Sequence, residues 1–162
     1  MPAQPLDSAD ARILRVIQED ATLSIAAVAQ KVNMSQNACW RRIKKLEQTG
    51  VIAKRVTLLN AEALGLSMTV FVSLRVSEHS EEWLSSLAST VSQIPQVVEF
   101  YRMSGDVDYL LKLKVSSIDE YDSVYKKLIR TVKLGDVTSA FAMEEMHYTT
   151  SLAVNPTKFA DS

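Results

Sequence analysis

The chain of 162 residues contains few of the residues that mark several classes of protein. Its single cysteine excludes an internal disulfide and agrees with a reducing compartment. Its two histidines, His79 and His147, lie far apart without cysteine partners and do not make a zinc site. We expect no metal, no cofactor and no catalytic residue, because the sequence shows no nucleophile–base pair, metal-ligand cluster or phosphate-binding loop.

The sequence also lacks long apolar runs and a recognisable secretion signal. No apolar run approaches the length of a helix that spans a bilayer. The first residues, MPAQPLDSAD, have neither the basic start nor the apolar stretch of a signal peptide. We therefore expect a cytoplasmic protein that does not associate with membranes.

Charge is distributed unevenly along the chain, although the net charge is only −1. Residues 1–60 carry nine Lys and Arg against five Asp and Glu, whereas residues 61–162 carry nine against fourteen. A basic N-terminal part is typical of a nucleic-acid-binding module that is joined to a domain with another task.

Residues 24–50 have the pattern of a short helix, a tight turn and a second helix. Asn33 is expected to take the left-handed conformation that ends the first helix, and Ser35 is expected to cap the second. Gly50 is expected to end the second helix, with Val51 folding back on it. This pattern predicts a helix-turn-helix, whose second helix enters the major groove of DNA.

The second helix of this pattern has one apolar face and one cationic face. Cys39, Ile43 and Leu46 are spaced four and three residues apart and are expected to face the core. Amides at the start of such a helix can pair with adenine and Arg41 with guanine, while lysines suit phosphates. The predicted DNA-binding residues are Ser35, Gln36, Asn37, Trp40, Arg41, Arg42, Lys44, Lys45, Lys54 and Arg55. The alternative is a solvated face on an ordinary helical hairpin.

A further helix is predicted before this pattern, from a cap at Asp7 to about Glu19, which gives a three-helix unit. The segment VIAKRVTLLN that follows the unit has the β-branched content of a strand and is expected to form a wing or linker. The next segment, AEALGL, is expected to form one helical turn that Gly65 closes.

The remainder of the chain shows two successive strand-helix-strand passages. The predicted strands cover 68–76, 97–103, 109–115 and 137–147, and the predicted helices cover about 81–94 and 118–132. The order β-α-β-β-α-β indicates a ferredoxin-like sheet with both helices on one face and a partly apolar opposite face. We therefore predict an α+β fold with an N-terminal winged helix-turn-helix and a C-terminal ferredoxin-like domain. The expected divisions are 1–52 for the DNA-binding domain, 53–66 for the linker, 67–154 for the ligand-binding and oligomerisation domain, and 155–162 for a tail.

Together these segments resemble the leucine-responsive regulatory protein/AsnC family of prokaryotic transcription regulators. The resemblance covers nearly all of residues 6–154 and is carried by LDSADARILRVIQED, LSIAAVAQKVNMSQNACWRRIKKLEQTGVI, SGDVDYLLKLKV and DVTSAFAMEEMHYTTSL. The chain looks closest to a branch of that family whose members respond to cysteine and activate cysteine breakdown.

The resemblance implies a homodimer in which linker strands pair and C-terminal sheets pack together, with four dimers often forming an octamer. It also implies that a small amino acid binds between dimers, around the loop before the third strand of the sheet. The effector-binding residues that it suggests are Met103, Ser104, Gly105, Asp106 and Asp108 in this loop and, by analogy with the family, Thr138, Ser139 and Ala140. From the residues alone, the loop can equally be a β-turn whose Gly and Asp serve backbone geometry.

The function that we predict is a sequence-specific DNA-binding transcription regulator with a small amino-acid effector, for which cysteine is the leading candidate. The partners expected are double-stranded DNA and further copies of the chain. The alternatives are an architectural protein that wraps DNA with little sequence preference and, less favoured, a small enzyme. Two residues of the second helix stand apart: Cys39 is expected to be a buried structural thiol rather than a sensor, and Trp40 either stacks on DNA sugars or packs under the first helix.

Overall fold

The computed structural model describes residues 6–76, 80–131 and 135–155. Predictions made for His79, for the end of the second sheet-domain helix at Val132 and for residues 156–162 of the tail concern residues outside these ranges. The chain divides into two compact units, of which one contains the residues up to Thr57 and those from His147 onward. The other unit is Leu58–Met146.

The first unit contains the three predicted helices. They are α1 (Ser8–Glu19), α2 (Ile25–Lys31) and α3 (Gln36–Gln48). One apolar cluster joins them, with Ile13 of α1, Val28 of α2 and Ile43 of α3 almost fully buried. The expected core face of α3 is confirmed, because Cys39, Ile43 and Leu46 are its buried residues.

The predicted helix signals of this unit are confirmed by the backbone. Asp7 caps α1 in a reciprocal capping box with Asp10. Asn33 has a positive φ of 55°, and the Ser35 hydroxyl accepts the N–H of Ala38 at 3.3 Å. These short-range features bring α2 and α3 into the geometry of a helix-turn-helix.

The C-terminal end of α3 differs in one residue from the prediction. Gly50 has the expected positive φ of 76°. Val51, however, is exposed, and Ile52 is the residue that packs on the cluster and donates its N–H to the Leu46 carbonyl at 3.0 Å. The chain needs one more residue after the left-handed glycine to turn an apolar side chain back to the core.

A segment from the far end of the chain completes the first unit, which the sequence did not predict. Val154 packs on the apolar cluster of the three helices. The side-chain amide of Gln18 donates to the Leu152 carbonyl at 2.9 Å and accepts the Leu152 N–H at 3.0 Å. The Arg15 guanidinium donates to the Val154 carbonyl at 2.9 Å. Both backbone groups of Leu152 are thus bonded in the manner of a strand residue.

The strand predicted in VIAKRVTLLN is wrong for the single chain. Residues 53–60 form neither helix nor strand, and all of them are exposed, including Val56, Leu58 and Leu59. A strand requires a neighbour for its N–H and C=O groups, and no strand among the described residues pairs with this segment. The turn expected after it is present, and Gly65 closes it with a φ of 76°.

The second unit is a four-stranded antiparallel sheet with two helices. The strands are β1 (Met68–Arg75), β2 (Val97–Arg102), β3 (Tyr109–Val115) and β4 (Asp136–Phe141), in the order β2-β3-β1-β4. The helices are α4 (Glu81–Ser92), capped by Ser80 as predicted, and α5 (Ile118–Thr131). Leu87 and Val124 from the helices share one buried cluster with Val72 and Leu111 from the sheet. The predicted ferredoxin-like order and the single helix-covered face are therefore confirmed.

Strand β4 is shorter than the predicted 137–147. Phe141 pairs with Val70, and the Ala142 N–H makes a last bond to the Thr69 carbonyl at 2.9 Å. The two strands are antiparallel, so residues after Ala142 run past the first residue of β1, Met68, and have no partner in that strand. The apolar residues that extended the prediction, Met143 and Met146, are almost fully exposed.

A carboxylate at the start of α5 makes the stability of the sheet unit dependent on pH. Glu120 accepts hydrogen bonds from the Ser116 N–H, the Ser116 hydroxyl and the Gln96 amide. These bonds, given in decreasing order of their effect on the pKa of Glu120, lower it from 4.5 to about 2. Because the pKa of Glu120 is lower in the folded than in the unfolded protein, its ionised form stabilises the fold. This stabilisation is complete above about pH 4.5 and is lost as the pH falls toward 2. We expect Glu120→Gln to lower the unfolding free energy by about 1–2 kcal/mol at pH 7, after solvent screening is allowed for.

The measurement is urea unfolding of both proteins between pH 2 and 7. The two free energies of unfolding should converge as the pH approaches 2. A difference that stays constant over the whole range would mean that Glu120 acts through packing and not through its charge.

Candidate functional site

The face of α3 opposite the buried cluster is exposed, as the sequence predicted. Gln36, Asn37 and Arg41 are exposed along it, and half of the Trp40 surface is accessible. Ser35 stands at the N-terminus of the helix, where free backbone N–H groups and the helix dipole favour a phosphate. The face therefore carries amide, guanidinium and aromatic groups that can reach base edges in a groove.

Four predicted phosphate-binding cations lie along the C-terminal half of α3 and beyond it. Glu47 accepts a bond from Lys44 at 2.7 Å and one from Arg55 at 3.2 Å, and the Lys44 ammonium holds the pKa of Glu47 below its usual range. Lys45 and Lys54 are exposed. Glu47 thus gathers Lys44 and Arg55 on one side of the unit, where both stay accessible to a phosphate.

Arg42 has a different partner from the one that the sequence suggested. Its guanidinium faces α1, and its Nη1 lies 2.7 Å from a carboxylate oxygen of Asp7 and 2.7 Å from one of Asp10. Both carboxylates raise the pKa of Arg42, with Asp10 contributing most. Among the cations predicted to bind DNA, Arg42 is the one bonded to two carboxylates of α1.

The environments of Cys39 and Trp40, the two residues of α3 whose roles the sequence left open, differ. Cys39 is fully buried, and desolvation raises the pKa of its thiol, which agrees with a structural residue and disfavours a reactive thiolate. Trp40, which is 50% exposed, lies on the outward face beside Arg41. It is available to a ligand of that face.

The second group of predicted residues lies at one end of the sheet, where β1 and β4 border a cavity of about 300 Å³. Its lining residues are Ser73, Arg75, Val107, Asp136 and Thr138. Ser73 lies opposite Thr138 in the sheet, and Arg75 lies opposite Asp136. Two hydroxyls and two opposite charges therefore converge on a space that suits a small zwitterion.

The loop before β3 reaches this cavity through its backbone. The Arg75 Nε donates to the Asp106 carbonyl at 2.6 Å, and Gly105 has a φ of 123°, which side chains rarely tolerate. Val107 of the same loop lines the cavity. Of the predicted effector-binding residues, Asp106 and Thr138 are brought together here.

Two of the predicted effector-binding residues have other partners. Asp108 accepts the N–H of Val76 at 2.8 Å, so its carboxylate fixes the loop to the end of β1. Ser139 points to the helix-covered face of the sheet, where its hydroxyl bonds the Tyr121 hydroxyl. Because side chains alternate along a strand, the neighbours Thr138 and Ala140 lie on the opposite face. Met103, Ser104 and Gly105 are exposed in the loop without lining the cavity.

Sequence reasoning missed Ser73, Arg75 and Asp136. The signal available was the period-two pattern of β1, which places Ser73 and Arg75 on the same face as Thr69 and Phe71. The opposition of Arg75 and Asp136 depends on the register between β1 and β4, and no local pattern encodes that register.

The uncovered face of the sheet combines apolar side chains with one partly exposed charge network. Phe71 and Tyr101 are exposed there in part. Lys112 pairs directly across from Phe71, is largely buried, and donates to Glu99 at 3.0 Å. The Tyr101 hydroxyl also donates to Glu99, and these two donors, Tyr101 first, hold the pKa of Glu99 below its usual range.

The geometry of both units agrees with known sequence families. Residues 6–53 match the winged helix-turn-helix DNA-binding profile. Residues 69–152, more than half of the chain, match the profile of the Lrp/AsnC ligand binding domain. The chain belongs to the Lrp/AsnC family. It is therefore a DNA-binding transcription regulator with a ligand-binding domain.

Characterised Lrp/AsnC proteins match the chain over almost its full length. The glutamate uptake regulatory protein of Zymomonas mobilis is 51% identical over 152 residues, which are 94% of this chain and 93% of that protein. The DNA-binding transcriptional activator DecR of Escherichia coli is 43% identical over 150 residues, which are 92% and 99% of the two chains. Both relatives are named as regulators.

A solved structure of a transcription regulator is also similar to this chain over almost its full length. The crystal structure of a transcriptional regulator from Neisseria meningitidis in complex with L-Met matches with a TM-score of 0.87 and 27% identity. The match covers 93% of this chain and 97% of that one.

In the described ranges of the present chain, no helix is long and apolar enough to cross a membrane, and no three His, Cys, Asp or Glu residues are grouped as metal ligands.

Proposed function

We propose that this chain is a sequence-specific regulator whose occupancy of its operator is modulated by a free amino acid bound at the β1–β4 cavity. The observation that carries the proposal is the opposition of Arg75 and Asp136 at a cavity of about 300 Å³. An amino acid carries a carboxylate and an ammonium group, and each needs a charged or hydrogen-bonding partner when it leaves water. Arg75 suits the carboxylate, and Asp136 suits the ammonium group.

Two exposed apolar surfaces support a proposal that the chain works as a homo-oligomer. Phe71, Val98 and Tyr101 are exposed on the second unit, and Val56 and Leu59 are exposed in the linker. Linker strands that paired with those of a second copy would give hydrogen-bond partners to the exposed backbone groups of residues 53–59. Covering of the sheet face by a second copy would bury Phe71, and the assembly expected is a dimer that forms octamers.

The effector would act by changing the relative stability of two arrangements of this assembly. It can shift operator occupancy only by the difference between its affinities for them, and DNA must change effector affinity by the same factor. Cysteine is the leading candidate from the branch resemblance. The names of the relatives add glutamate and methionine to the amino acids that deserve a test.

Two measurements on the purified full chain test this function. Thermal unfolding is followed with each amino acid in turn, and a ligand at a hundred times its Kd should stabilise the protein by roughly 3 kcal/mol. Binding to operator DNA and to random DNA is then compared with and without that amino acid. Equal affinities for both DNAs would support the architectural alternative. An amino acid that stabilises the protein but never changes operator affinity would refute effector control.

Substitution of either charge at the cavity should weaken the effector. Arg75→Gln and Asp136→Asn each remove one charged partner, and we expect a loss of roughly 10- to 100-fold in affinity, since hydrogen bonds to charged groups contribute about 1.5–3 kcal/mol. Isothermal titration with the stabilising amino acid measures it. Glu62→Gln is the matched control, because it removes an exposed carboxylate of the same unit away from the cavity lining. Unchanged affinity in both cavity variants would place the effector elsewhere.

A further inference from the structure

The capping box of α1 is the unexpected partner of the recognition helix. Each of its two carboxylates uses one oxygen for the cap: Asp7 Oδ1 accepts the Asp10 N–H at 2.8 Å, and Asp10 Oδ2 accepts the Asp7 N–H at 3.4 Å. The other oxygens, Asp7 Oδ2 and Asp10 Oδ1, both accept Arg42 Nη1. Two hydrogen bonds within the capping box therefore hold the carboxylates, and two more join the first turn of α1 to the middle of α3.

The capping box orients both carboxylates independently of Arg42. The cap fixes both side chains at the end of a helix, and the Asp10 side chain is only 12% exposed. A guanidinium that bonds two fixed acceptors loses little further freedom and gains charge-assisted bonds. The Arg42 side chain is itself 35% exposed, so the pair lies at the border between the core and the surface of the unit.

We infer that Arg42 is a positioning residue, which fixes the rotation of α3 about its own axis through Asp7 and Asp10. Only three side chains of α3, those of Cys39, Ile43 and Leu46, are buried, and all lie on one stripe. A single stripe restrains translation of a helix better than rotation. Arg42 lies beside this stripe and adds a directional bond at one of its borders.

The rotation of α3 decides where its reading residues point. Arg41 and Arg42 are adjacent, and adjacent side chains of a helix are about 100° apart. When Arg42 is bonded to α1, Arg41 is directed away from α1 together with Asn37 and Trp40, which are exposed on the same face. A bidentate pair with a base requires a narrow range of orientations, so loss of the bond should reduce discrimination more than electrostatic attraction.

The alternative role, direct contact of Arg42 with phosphate, predicts the opposite sign for substitution of its partner. Asp10→Asn removes a negative charge of the DNA-binding unit and weakens the bonding of Arg42 to α1, which then rests on Asp7 as its charged partner. A phosphate-contacting Arg42 would then bind DNA at least as tightly as before. The positioning role predicts instead a fall of roughly tenfold in operator affinity, despite the favourable change in charge, and a smaller fall for random DNA.

The dependence on salt gives a second, independent measurement. Loss of one phosphate contact lowers the slope of log affinity against log salt concentration by about 0.9. We expect Arg42→Met to reduce operator affinity roughly tenfold while leaving this slope unchanged. Lys45→Met, which removes an exposed cation three residues further along α3, is the matched control and should lower the slope. Arg42→Lys keeps the charge without the planar guanidinium and should restore part of the affinity.

Loss of folding must be separated from loss of position. Asp7→Ser keeps a good capping residue but removes one acceptor of Arg42, and it should reduce discrimination between operator and random DNA without changing helix content by circular dichroism. The inference is overturned if Asp10→Asn binds operator with the same affinity as the parent protein. It is also overturned if Arg42→Met lowers the salt slope as Lys45→Met does. It rests on the proposed sequence-specific binding, and failure of that function is recognised separately, because the parent protein would then bind operator and random DNA with equal affinity.

Discussion

Arg41→Ala should lower operator affinity roughly 5- to 150-fold per lost base contact and relax base preference at the position it reads. The reason is the exposed guanidinium on the outward face of α3, since a bidentate pair with guanine contributes about 1–3 kcal/mol of discrimination. Competition binding of the full chain against operators that carry each base in turn measures the effect. The parent protein should prefer one base at that position, and the variant should not.

Lys54→Ala is the control for this experiment. Lys54 is exposed beyond the end of α3, where a phosphate is its expected partner. Its loss should weaken all sequences alike and lower the salt slope by about 0.9. If Arg41→Ala behaves like Lys54→Ala, Arg41 contacts the backbone; if neither changes binding, α3 is not the recognition helix.

Leu111→Ala should destabilise the sheet unit by about 2–5 kcal/mol, the largest stability effect that we expect. Leu111 is fully buried on β3, between β1 and β2, and packs in the cluster below α4 and α5. Truncation removes apolar contacts and leaves a cavity that the paired strands on both sides cannot close. Ile118→Ala, at an exposed position of α5, is the control and should change stability by less than about 0.5 kcal/mol.

The two tryptophans make this measurement specific for one unit. Trp83 packs on the cluster of the sheet unit and lies 5.7 Å from the ring of Tyr109, whereas Trp40 belongs to α3. In a Trp40→Phe background, denaturant unfolding followed by fluorescence therefore reports the sheet unit. An unchanged midpoint in Leu111→Ala would contradict the assignment of this residue to the core.

Local signals in the sequence were sufficient for most elements of the fold. Asp7, Ser35 and Ser80 were identified as caps because the bond from a cap reaches only three residues along the chain. The alternation of β1 was equally readable, because the period of a strand is visible within eight residues. These features require no knowledge of what lies nearby in space.

The errors arose where a partner distant in sequence decides the outcome. Residues 53–60 have strand composition but no neighbouring strand in the single chain, and β4 ends where β1 offers no further partner. In the sites, the bonds of Arg42 to Asp7 and Asp10 were not predicted, because a cation on a helix surface gives no sign of carboxylates more than thirty residues earlier. The charges at the cavity, Arg75 and Asp136, are about sixty residues apart and were missed for the same reason.

The segment that docks on α1 has a consequence for the order in which the protein forms during translation. Val154 and Leu152 complete a unit whose three helices are synthesised about a hundred residues earlier, which at 5–20 residues per second is roughly 5–20 s. On the ribosome, the nascent helices must therefore wait with one part of their core uncovered until synthesis of the sheet has ended. The DNA-reading unit reaches its final form only after the effector-sensing unit has left the exit tunnel.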